Sequence, residues 1–316
     1  MRYNSKFPHG IMFHRFKNSD IKDSGYGALS ASDLDRLIKF IGKDRILNPN
    51  QWINKIKKNN LSNKDLCLTF DDGLKSQFKV ALPVLNKYKI KAFWFIHSNT
   101  SKNNYDKSEI YSILIVKKFK KYENFTQKFL EYLEINENLF KSKSFQKYFN
   151  SEKKLYKFFS KNEIKYKYLR DIYFERIKFE KLMDNFFKSY GLKIKSFYKN
   201  TWMSKNDIKN LSKEGHLVGM HSFSHPFRMS ALTNKKQFNE YYKNYKYLEK
   251  ITKLKPISMS HPLDSYNRTS LNILKKLGIL CGFRSHTKTN KGKKINPSKL
   301  EIAREDPSNI LKLLRN

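Results

Sequence analysis

The sequence of 316 residues is poor in cysteine and has no long apolar run. Its two cysteines, Cys67 and Cys281, each lie within a short apolar stretch, where a buried free thiol is the ordinary outcome. Two cysteines exclude a disulfide framework. No stretch approaches the roughly 20 apolar residues that span a bilayer, and the N-terminus lacks the apolar segment of a signal peptide. We therefore expect a folded cytoplasmic protein without a transmembrane segment.

Acidic residues are also scarce, since 28 aspartates and glutamates face 65 lysines and arginines, which gives a net charge of +37. Such a charge raises nucleic acid or an anionic membrane as a partner. Only 11 of the basic residues are arginine, however, and base recognition favours the planar guanidinium of arginine over lysine. Nucleic acid is therefore not the expected partner. The charge still predicts attraction to anionic substrates, and peripheral contact with a membrane stays open.

Proline and glycine are almost missing from the middle of the chain. No proline occurs between Pro83 and Pro226, and Gly191 is the only glycine between Gly73 and Gly215. We interpret residues 101–195 as a helical insertion whose last helix ends at Gly191. Apolar residues recur there at near-helical spacing in two segments: Phe125, Phe129, Leu133 and Phe140 in 121–140, and Ile172, Ile177, Leu182 and Phe186 in 164–187.

The flanking regions, residues 1–100 and 196–316, have a different pattern. Short apolar runs alternate with helical stretches, which predicts an α/β fold with a mostly parallel sheet or barrel. Ser204 and Thr233 have the character of helix N-caps, and Asp306 followed by Pro307 predicts another helix start. The predicted strands are six runs: 10–14, 66–70, 92–96, 217–221, 257–260 and 279–283.

Two clusters of polar residues follow predicted strands, where open sheets and barrels keep their active sites. In the first, Thr69-Phe-Asp71-Asp72-Gly73, two adjacent carboxylates are costly to bring together unless a cation or a proton is shared between them. An ordinary Asp-Gly turn is the alternative interpretation.

The second cluster is His221-Ser-Phe-Ser-His225-Pro226. Histidines four residues apart can converge on one metal ion, although a structural role for such a pair is about as common. Together the clusters offer one carboxylate and two imidazoles, a metal triad with open positions for water, and a second carboxylate that is free to act as a base.

This combination resembles the polysaccharide deacetylase family, the NodB-homology carbohydrate esterases. Residues 69–73 match the first motif of that family, and Met220-His-Ser-Phe-Ser-His-Pro226 matches the second, preceded by the similar stretch 211–219. The resemblance covers about 1–100 and 196–316. It implies a deformed (β/α) barrel of the NodB-homology type, interrupted by the helical insertion.

The resemblance also implies roles for individual residues. Asp71 corresponds to the general base, and Asp72, His221 and His225 correspond to the ligands of one divalent metal ion. Zn²⁺ is the expected ion, with Co²⁺, Mn²⁺ or Ni²⁺ as alternatives. The substrate would be an N- or O-acetylated sugar or polysaccharide precursor, whose carbonyl the cation would polarise while water attacks.

The third motif of the family matches Ser260-His-Pro262-Leu-Asp-Ser-Tyr-Asn267, with Pro262 and the backbone N–H of Leu263 at the oxyanion position. Here the chain departs from the family pattern. Ser260 stands where the family usually has arginine, and Asp264 where it often has glycine.

The C-terminal motif, residues 300–306, lacks the histidine that serves many members as general acid. His14, at the end of the first predicted strand, is the preferred replacement, and His261 and His286 are weaker alternatives.

Three further residues are candidates for contact with substrate. Arg284 and Arg304 would either bind a substrate anion or pair with acidic residues at the barrel mouth, and Trp202 would stack on a sugar. Two other functions stay open: a catalytically inactive module that binds carbohydrate or protein, and a small-molecule amidohydrolase. No pattern in the sequence predicts an oligomeric state.

Overall fold

The computed structural model describes residues 2–21, 24–101, 104–155, 159–288 and 294–314. Its backbone contacts divide the chain into two compact units. The first, which we call the barrel unit, comprises residues 1–22, 27–106 and 200–316. The second, the helical unit, comprises residues 23–26 and 107–199.

Seven parallel strands form a nearly closed barrel in the barrel unit, in the order β8-β7-β6-β3-β2-β1-β9, and β4 and β5 form a separate antiparallel pair. The fold is therefore the NodB-type (β/α) barrel that the sequence predicted. The strands are β1 (His9–Phe13), β2 (Leu66–Phe70), β3 (Phe93–Ile96), β4 (Thr100–Ser101), β5 (Asn104–Tyr105), β6 (Leu217–Met220), β7 (Ser258–Ser260), β8 (Cys281–Phe283) and β9 (Arg304–Glu305).

The segment that ends in β9 lies between the two edges of the sheet. Ile302 pairs with Phe283 of β8, and Arg304 pairs with Gly10 of β1, in both cases in parallel. Gly282 permits this closure, because a Cβ atom there would lie 2.6 Å from the carbonyl oxygen of Leu300. The last strand therefore joins the first strand to β8 and brings its own side chains into the barrel.

Helices surround the strands of the barrel unit, and several begin where the sequence predicts. The Ser204 hydroxyl, the Thr233 hydroxyl and the Asp306 carboxylate each accept a backbone N–H of the helix that follows, which confirms the three predicted caps. No helix in the described part of the chain is long and apolar enough to cross a membrane. The α-helices of both units are α1 (Ala31–Ile41), α2 (Pro49–Lys57), α3 (Leu82–Lys87), α4 (Ser108–Phe119), α5 (Tyr122–Tyr132), α6 (Lys143–Leu155), α7 (Lys161–Tyr168), α8 (Arg176–Ser189), α9 (Tyr198–Thr201), α10 (Lys205–Lys213), α11 (Asn234–Thr252), α12 (Arg268–Lys276) and α13 (Pro307–Leu313).

Alternate residues of the central strands face opposite sides of the barrel wall. In β2, Leu68 and Phe70 belong to a cluster that includes Leu34 and Leu37 of α1, whereas Cys67 belongs to a second cluster with Phe283 of β8. Because side chains alternate along a strand, the face that carries Cys67 also carries Thr69 and, one step beyond the strand, Asp71. The alternation therefore directs Asp71 to the inside of the barrel.

The helical unit is held together by aromatic side chains. The ring of Phe125 contacts those of Phe119, Phe129, Phe186 and Phe187, with centroid distances of 5.5–6.2 Å. This packing confirms the apolar face predicted for residues 121–140 at Phe125 and Phe129. Gly191 has a φ of +72° just after α8 ends, as predicted for a helix stop.

The apolar face predicted for residues 164–187 is wrong in its first half. Ile172 is 38% exposed and Ile177 is 85% exposed. The physical reason is a break in the helix: Leu169–Tyr173 form a π-helical turn and Phe174 is extended, so the helical phase restarts at α8. Helix α8 then buries Phe179, Met183, Phe186 and Phe187, of which only Phe186 belongs to the predicted face.

Candidate active site

The two adjacent carboxylates of the first cluster lie in a tight turn directly after β2. Asp72 and Gly73 have φ angles of +73° and +68°, and the turn is fixed because the Asp71 N–H donates to the carbonyl of Phe13 at 3.0 Å. Aspartate tolerates a left-handed backbone better than most residues do, and strained turns of this kind cluster at functional sites. The turn gives Asp71 and Asp72 different environments.

The second cluster follows β6 and is also held in a strained backbone. Ser222 and His225 have φ angles of +67° and +53°, and the Ser222 hydroxyl accepts the N–H of His225 at 3.1 Å. The N–H of His221 donates to the side-chain oxygen of Asn244 in α11, whose amide group donates to the carbonyl of Ile96. Asn244 therefore ties the end of β6 to the end of β3.

Asp72, His221 and His225 converge on one point. Asp72 Oδ1 lies 3.2 Å from His221 Nε2 and 3.6 Å from His225 Nε2, and one ligand atom from each residue lies within 4.8 Å of the others. Two ligands about 2.1 Å from the same ion lie roughly 3.0–3.4 Å apart at tetrahedral or octahedral angles. The donor set and its spacing therefore fit a divalent metal ion.

Both histidines are oriented by a partner on the ring nitrogen that faces away from Asp72. His221 Nδ1 lies 2.9 Å from the carbonyl oxygen of Ser260, which accepts a hydrogen bond from this nitrogen and leaves Nε2 to face Asp72. His225 Nδ1 lies 3.0 Å from Asp106 Oδ2, just after β5. Such partners select the tautomer that binds a metal ion and raise the basicity of the ligand.

Asp72 and Asp71 are both ionised near neutral pH. Burial by itself would raise the pKa of Asp72, but the hydrogen bond with His221 and the nearby histidines hold it well below its usual value. Burial also acts to raise the pKa of Asp71, yet the positive charge of Arg304 outweighs this effect and the net shift is downward.

Asp71 does not join the two histidines but pairs with Arg304 of β9. The two guanidinium nitrogens Nη1 and Nη2 donate to Oδ1 and Oδ2 of Asp71, each at 2.7 Å, and both side chains are at most 2% exposed. Of the two roles expected for Arg304, the structure shows the ion pair. The guanidinium is enclosed in the barrel wall and does not face solvent.

His14 lies beside Asp71 at the carboxyl end of β1. Its Nε2 atom is 3.9 Å from Asp71 Oδ2, and its side chain is 34% exposed, in contrast with the buried carboxylate. An imidazole in this position can exchange protons with a molecule that enters from solvent.

The third motif forms a turn after β7. Pro262 is buried, and Leu263 is 43% exposed with a φ of +49°. Asp264, at the position where the family often has glycine, has a φ of +57°, which aspartate tolerates better than most residues. Its carboxylate accepts the N–H of Ser285 at 2.7 Å and contacts His286 at 2.9 Å.

Three other predicted residues, Arg284, His261 and Trp202, contact neighbouring backbone groups or aromatic rings. The guanidinium of Arg284 donates to the carbonyls of Lys288 and Ile295. His261 stacks on Tyr266 at 4.0 Å, with its Nε2 against the carbonyl of Leu300. Trp202 is only 6% exposed and its ring lies 6.3 Å from His97 and 5.8 Å from Tyr105.

Sequence reasoning missed three polar residues of the site: Asp106, Asn244 and His97. His97 is buried directly after β3, with its ring 5.4 Å from that of His225. Its position after a predicted strand was a usable signal, since polar residues at strand ends were the criterion for both clusters. Asp106 follows a strand of two residues, and Asn244 lies inside a helix, so neither carried such a signal.

The barrel is shared with solved structures of low sequence identity. The IcaB protein from Ammonifex degensii is 14% identical, with 99% of this chain and 97% of that chain covered and a TM-score of 0.57. The deacetylase PplD from Streptococcus pyogenes, solved in complex with acetate, is 16% identical over 98% of both chains, with a TM-score of 0.54. A de-N-acetylase from Aggregatibacter actinomycetemcomitans is 12% identical over 96% of this chain and 98% of that chain, with a TM-score of 0.52.

No curated protein sequence matches the chain. The model of the polysaccharide deacetylase family does match it, over residues 58–134 and 178–282, which is more than half of its length. This match contains both polar clusters and the third motif, and it extends further into the helical unit than the motif resemblance did. With the family match and the barrel in agreement, the chain belongs to the polysaccharide deacetylase family, whose members hydrolyse N-acetyl bonds of carbohydrates.

Proposed function

We propose that the protein is a metal-dependent deacetylase that removes an acetyl group from an N- or O-acetylated sugar or polysaccharide precursor. One observation carries this proposal: two adjacent carboxylates have different partners. Asp72 faces His221 and His225, whereas Asp71 is turned to Arg304. One carboxylate that serves a metal ion and a second that is ionised and kept apart from it are what metal-assisted hydrolysis needs.

In this proposal Asp72, His221 and His225 hold one divalent ion, with Zn²⁺ as the expected metal and Co²⁺, Mn²⁺ or Ni²⁺ as alternatives. The bound ion supplies Lewis-acid polarisation of the acetyl carbonyl and lowers the pKa of water at the site. The Ser260 carbonyl behind His221 and the Asp106 carboxylate behind His225 would hold the two imidazoles in the orientation that metal binding needs.

Asp71 takes the proton from the attacking water, and the backbone N–H of Leu263 faces the oxyanion next to Pro262. The left-handed backbone at Leu263 and Asp264, secured by the bonds of Asp264 to Ser285 and His286, supports this orientation of the turn.

His14 is the proposed general acid that protonates the leaving group. Its position beside Asp71 and its partial exposure support this role, because the leaving amine or hydroxyl departs toward solvent. Arg284, bonded to backbone carbonyls, and Trp202, largely buried, are weaker candidates for direct contact with substrate than the sequence predicted.

We also propose that residues 101–195 are an insertion into the barrel and that the protein acts in the cytoplasm on an anionic acetylated sugar. The net charge of +37 supports an anionic substrate. The two buried free thiols, Cys67 and Cys281, are compatible with a reducing compartment.

The decisive experiment compares Asp71→Asn with Asp72→Asn, since each variant changes one atom at adjacent positions. Metal content by elemental analysis and acetate release from acetylated sugars are measured on both. We expect wild type to hold about one equivalent of a divalent metal. Asp71→Asn should keep it and lose about 10²–10⁴-fold in kcat. Asp72→Asn should lose both metal and activity.

Two further variants complete the test. His221→Ala combined with His225→Ala should abolish metal binding, and His14→Ala should lower kcat with the metal retained. Wild type without metal after reconstitution would contradict the proposal and favour an inactive binding module. Full activity in Asp71→Asn would remove Asp71 as the base, and full activity in His14→Ala would remove His14 as the acid.

A further inference from the structure

We propose that Arg304 is the positioning residue for the Asp71 carboxylate. The last strand, β9, supplies this arginine at the place where the family's third motif brings an arginine from β7. This inference rests on the proposed function, because the role of Asp71 as base belongs to that proposal. It concerns a residue of the C-terminal motif, outside the metal triad and outside the first three motifs.

The geometry fixes Asp71 in two directions. The planar guanidinium of Arg304 binds both carboxylate oxygens at 2.7 Å, and a bidentate pair of this kind restrains rotation as well as distance. The guanidinium is itself held, because its Nε donates to the carbonyl of Arg284 at 2.6 Å and its Nη1 to the Thr69 hydroxyl at 3.2 Å.

Ser260 completes the arrangement from the third motif. Its hydroxyl accepts Nη2 of Arg304 at 2.8 Å and donates to Asp71 Oδ2 at 3.1 Å. Oδ2 therefore accepts two hydrogen bonds, whereas Oδ1 accepts the one from Nη1 among the described contacts. Since each carboxylate oxygen has two lone pairs, Arg304 and Ser260 together leave one on Oδ1 for the proton of water.

Two small residues make room for an arginine that arrives from β9. A Cβ atom on Gly10 would lie 3.1 Å from Cγ of Arg304, so a larger residue in β1 would displace the side chain. Ser260, on the opposite side, is short enough to leave the space in front of Asp71 to the guanidinium. The small Ser260, which stands where the family usually has arginine, therefore leaves the space that the side chain of Arg304 fills.

The test uses three variants of the full-length protein. Arg304→Lys keeps the positive charge but removes the planar guanidinium that binds both oxygens of Asp71. Ser260→Arg combined with Arg304→Met moves the arginine back to the third motif. Arg170→Lys is the matched control, because Arg170 also binds both oxygens of an aspartate, Asp171, but lies in the helical unit. Acetate release, metal content and crystal structures are determined for each.

We expect Arg304→Lys to lose about 100-fold in kcat, with KM and metal content unchanged, since displacement of a catalytic group by about 1 Å has this effect. Its crystal structure should show the Asp71 carboxylate rotated from its wild-type position. The arginine-transfer variant should recover most of the kcat, and Arg170→Lys should match wild type. Wild-type kcat in Arg304→Lys, or an unmoved Asp71, would overturn the proposal.

The crystal structures separate this inference from the proposed function. If wild type binds metal but releases no acetate from any acetylated sugar, the proposed function fails, while a displaced Asp71 in Arg304→Lys still supports positioning. If wild type is active and Asp71 stays in place in Arg304→Lys, only the positioning fails. Should the transfer variant not fold, Arg304→Lys alone decides.

Discussion

The barrel unit and the helical unit bury different chemistry. All eight histidines, all eight prolines and both cysteines of the chain lie outside residues 107–199, whereas that segment holds 13 of the 25 phenylalanines and 10 of the 19 tyrosines. In the barrel, charged and hydrogen-bonded groups such as Asp71, Arg304 and Asn244 are almost completely buried. In the helical unit, the interior is filled by aromatic rings around Phe125, in stacked and edge-on contacts.

The two interiors differ in how much their buried side chains contribute to the stability of the fold. A buried ion pair is seldom more stable than an apolar pair of the same volume, because desolvation of the two charges offsets their attraction. Buried aromatic rings, in contrast, contribute directly to stability through burial and ring contacts. We therefore expect the buried charged groups of the barrel to contribute little to its stability, and the buried rings of the helical unit to contribute much of its stability.

The largest effect is expected from replacing the buried ion pair by apolar residues. Asp71→Leu combined with Arg304→Met should abolish acetate release but leave the free energy of unfolding unchanged or raise it by about 1–4 kcal/mol. Arg304→Met alone should destabilise by about 3–5 kcal/mol, because the Asp71 charge is left buried without a partner. Denaturant unfolding measures both free energies. A double variant that is as unstable as Arg304→Met alone would contradict the expectation that the ion pair adds little stability.

A smaller but still large effect is expected in the helical unit. Phe125→Ala should destabilise this unit by about 3–5 kcal/mol, because the cavity removes contacts with four or more rings. The matched control is Phe238→Ala on α11, since Phe238 is 43% exposed and should cost about 1 kcal/mol or less. Thermal unfolding measures both, and equal losses would show that burial of Phe125 is not what stabilises the unit.

An intermediate effect is expected at the metal site. Asp106→Asn should weaken metal affinity by about 10–100-fold, because the carboxylate behind His225 raises the basicity of the ligand. Asp264→Asn is the control, since it disrupts another Asp–His contact, with His286, that does not involve the triad. Competition with a chelator measures the affinities, and an unchanged affinity in Asp106→Asn would leave Asp106 with a purely structural role.

The effect that is smallest near neutral pH, and that grows as the pH falls, concerns acid stability. It applies to the barrel because residues 107–199 contain no histidine. Burial lowers the pKa of His216 to about 3, and its Nδ1 accepts the N–H groups of Ala92 and Trp94. The unfolded chain therefore binds the proton first, so stability present above pH 6.5 is lost as the pH falls toward 3, by about 1.4 kcal/mol per pH unit.

His216→Gln provides the comparison, because glutamine can accept the same two N–H groups and does not titrate. The free energy of unfolding of wild type should fall faster than that of the variant between pH 6.5 and 4. Parallel curves would mean that His216 does not take up its proton on unfolding.

Much of the barrel was predictable from the sequence, because its strands are short apolar runs and its helices begin at recognisable caps. The polar residues of the first two motifs were predictable for the same reason, since they follow strands directly. The convergence of Asp72 with His221 and His225 agrees with the predicted triad, while their roles in catalysis stay predictions until the variants are measured.

Contacts between distant segments were not predictable. The Asp71–Arg304 pair depends on the register of β9 between β8 and β1, which a strand of two residues does not reveal. The contact of His225 with Asp106 depends on the course of the chain after β5. In the helical unit, Ile172 and Ile177 fitted a helical period that a π-helical turn interrupts, and a single period cannot predict such a break.

The closure of the barrel by its last strand has a consequence for the synthesis of the protein on the ribosome. Asp71 and Arg304 are 233 residues apart, so the carboxylate leaves the ribosome long before its counter-charge is synthesised. A nascent chain can carry every residue of the metal triad and still lack the group that fixes the neighbouring carboxylate. The final strand thus completes the barrel wall and the Asp71–Arg304 pair together, and under the proposed mechanism the chain becomes able to hydrolyse its substrate only after this last step of folding.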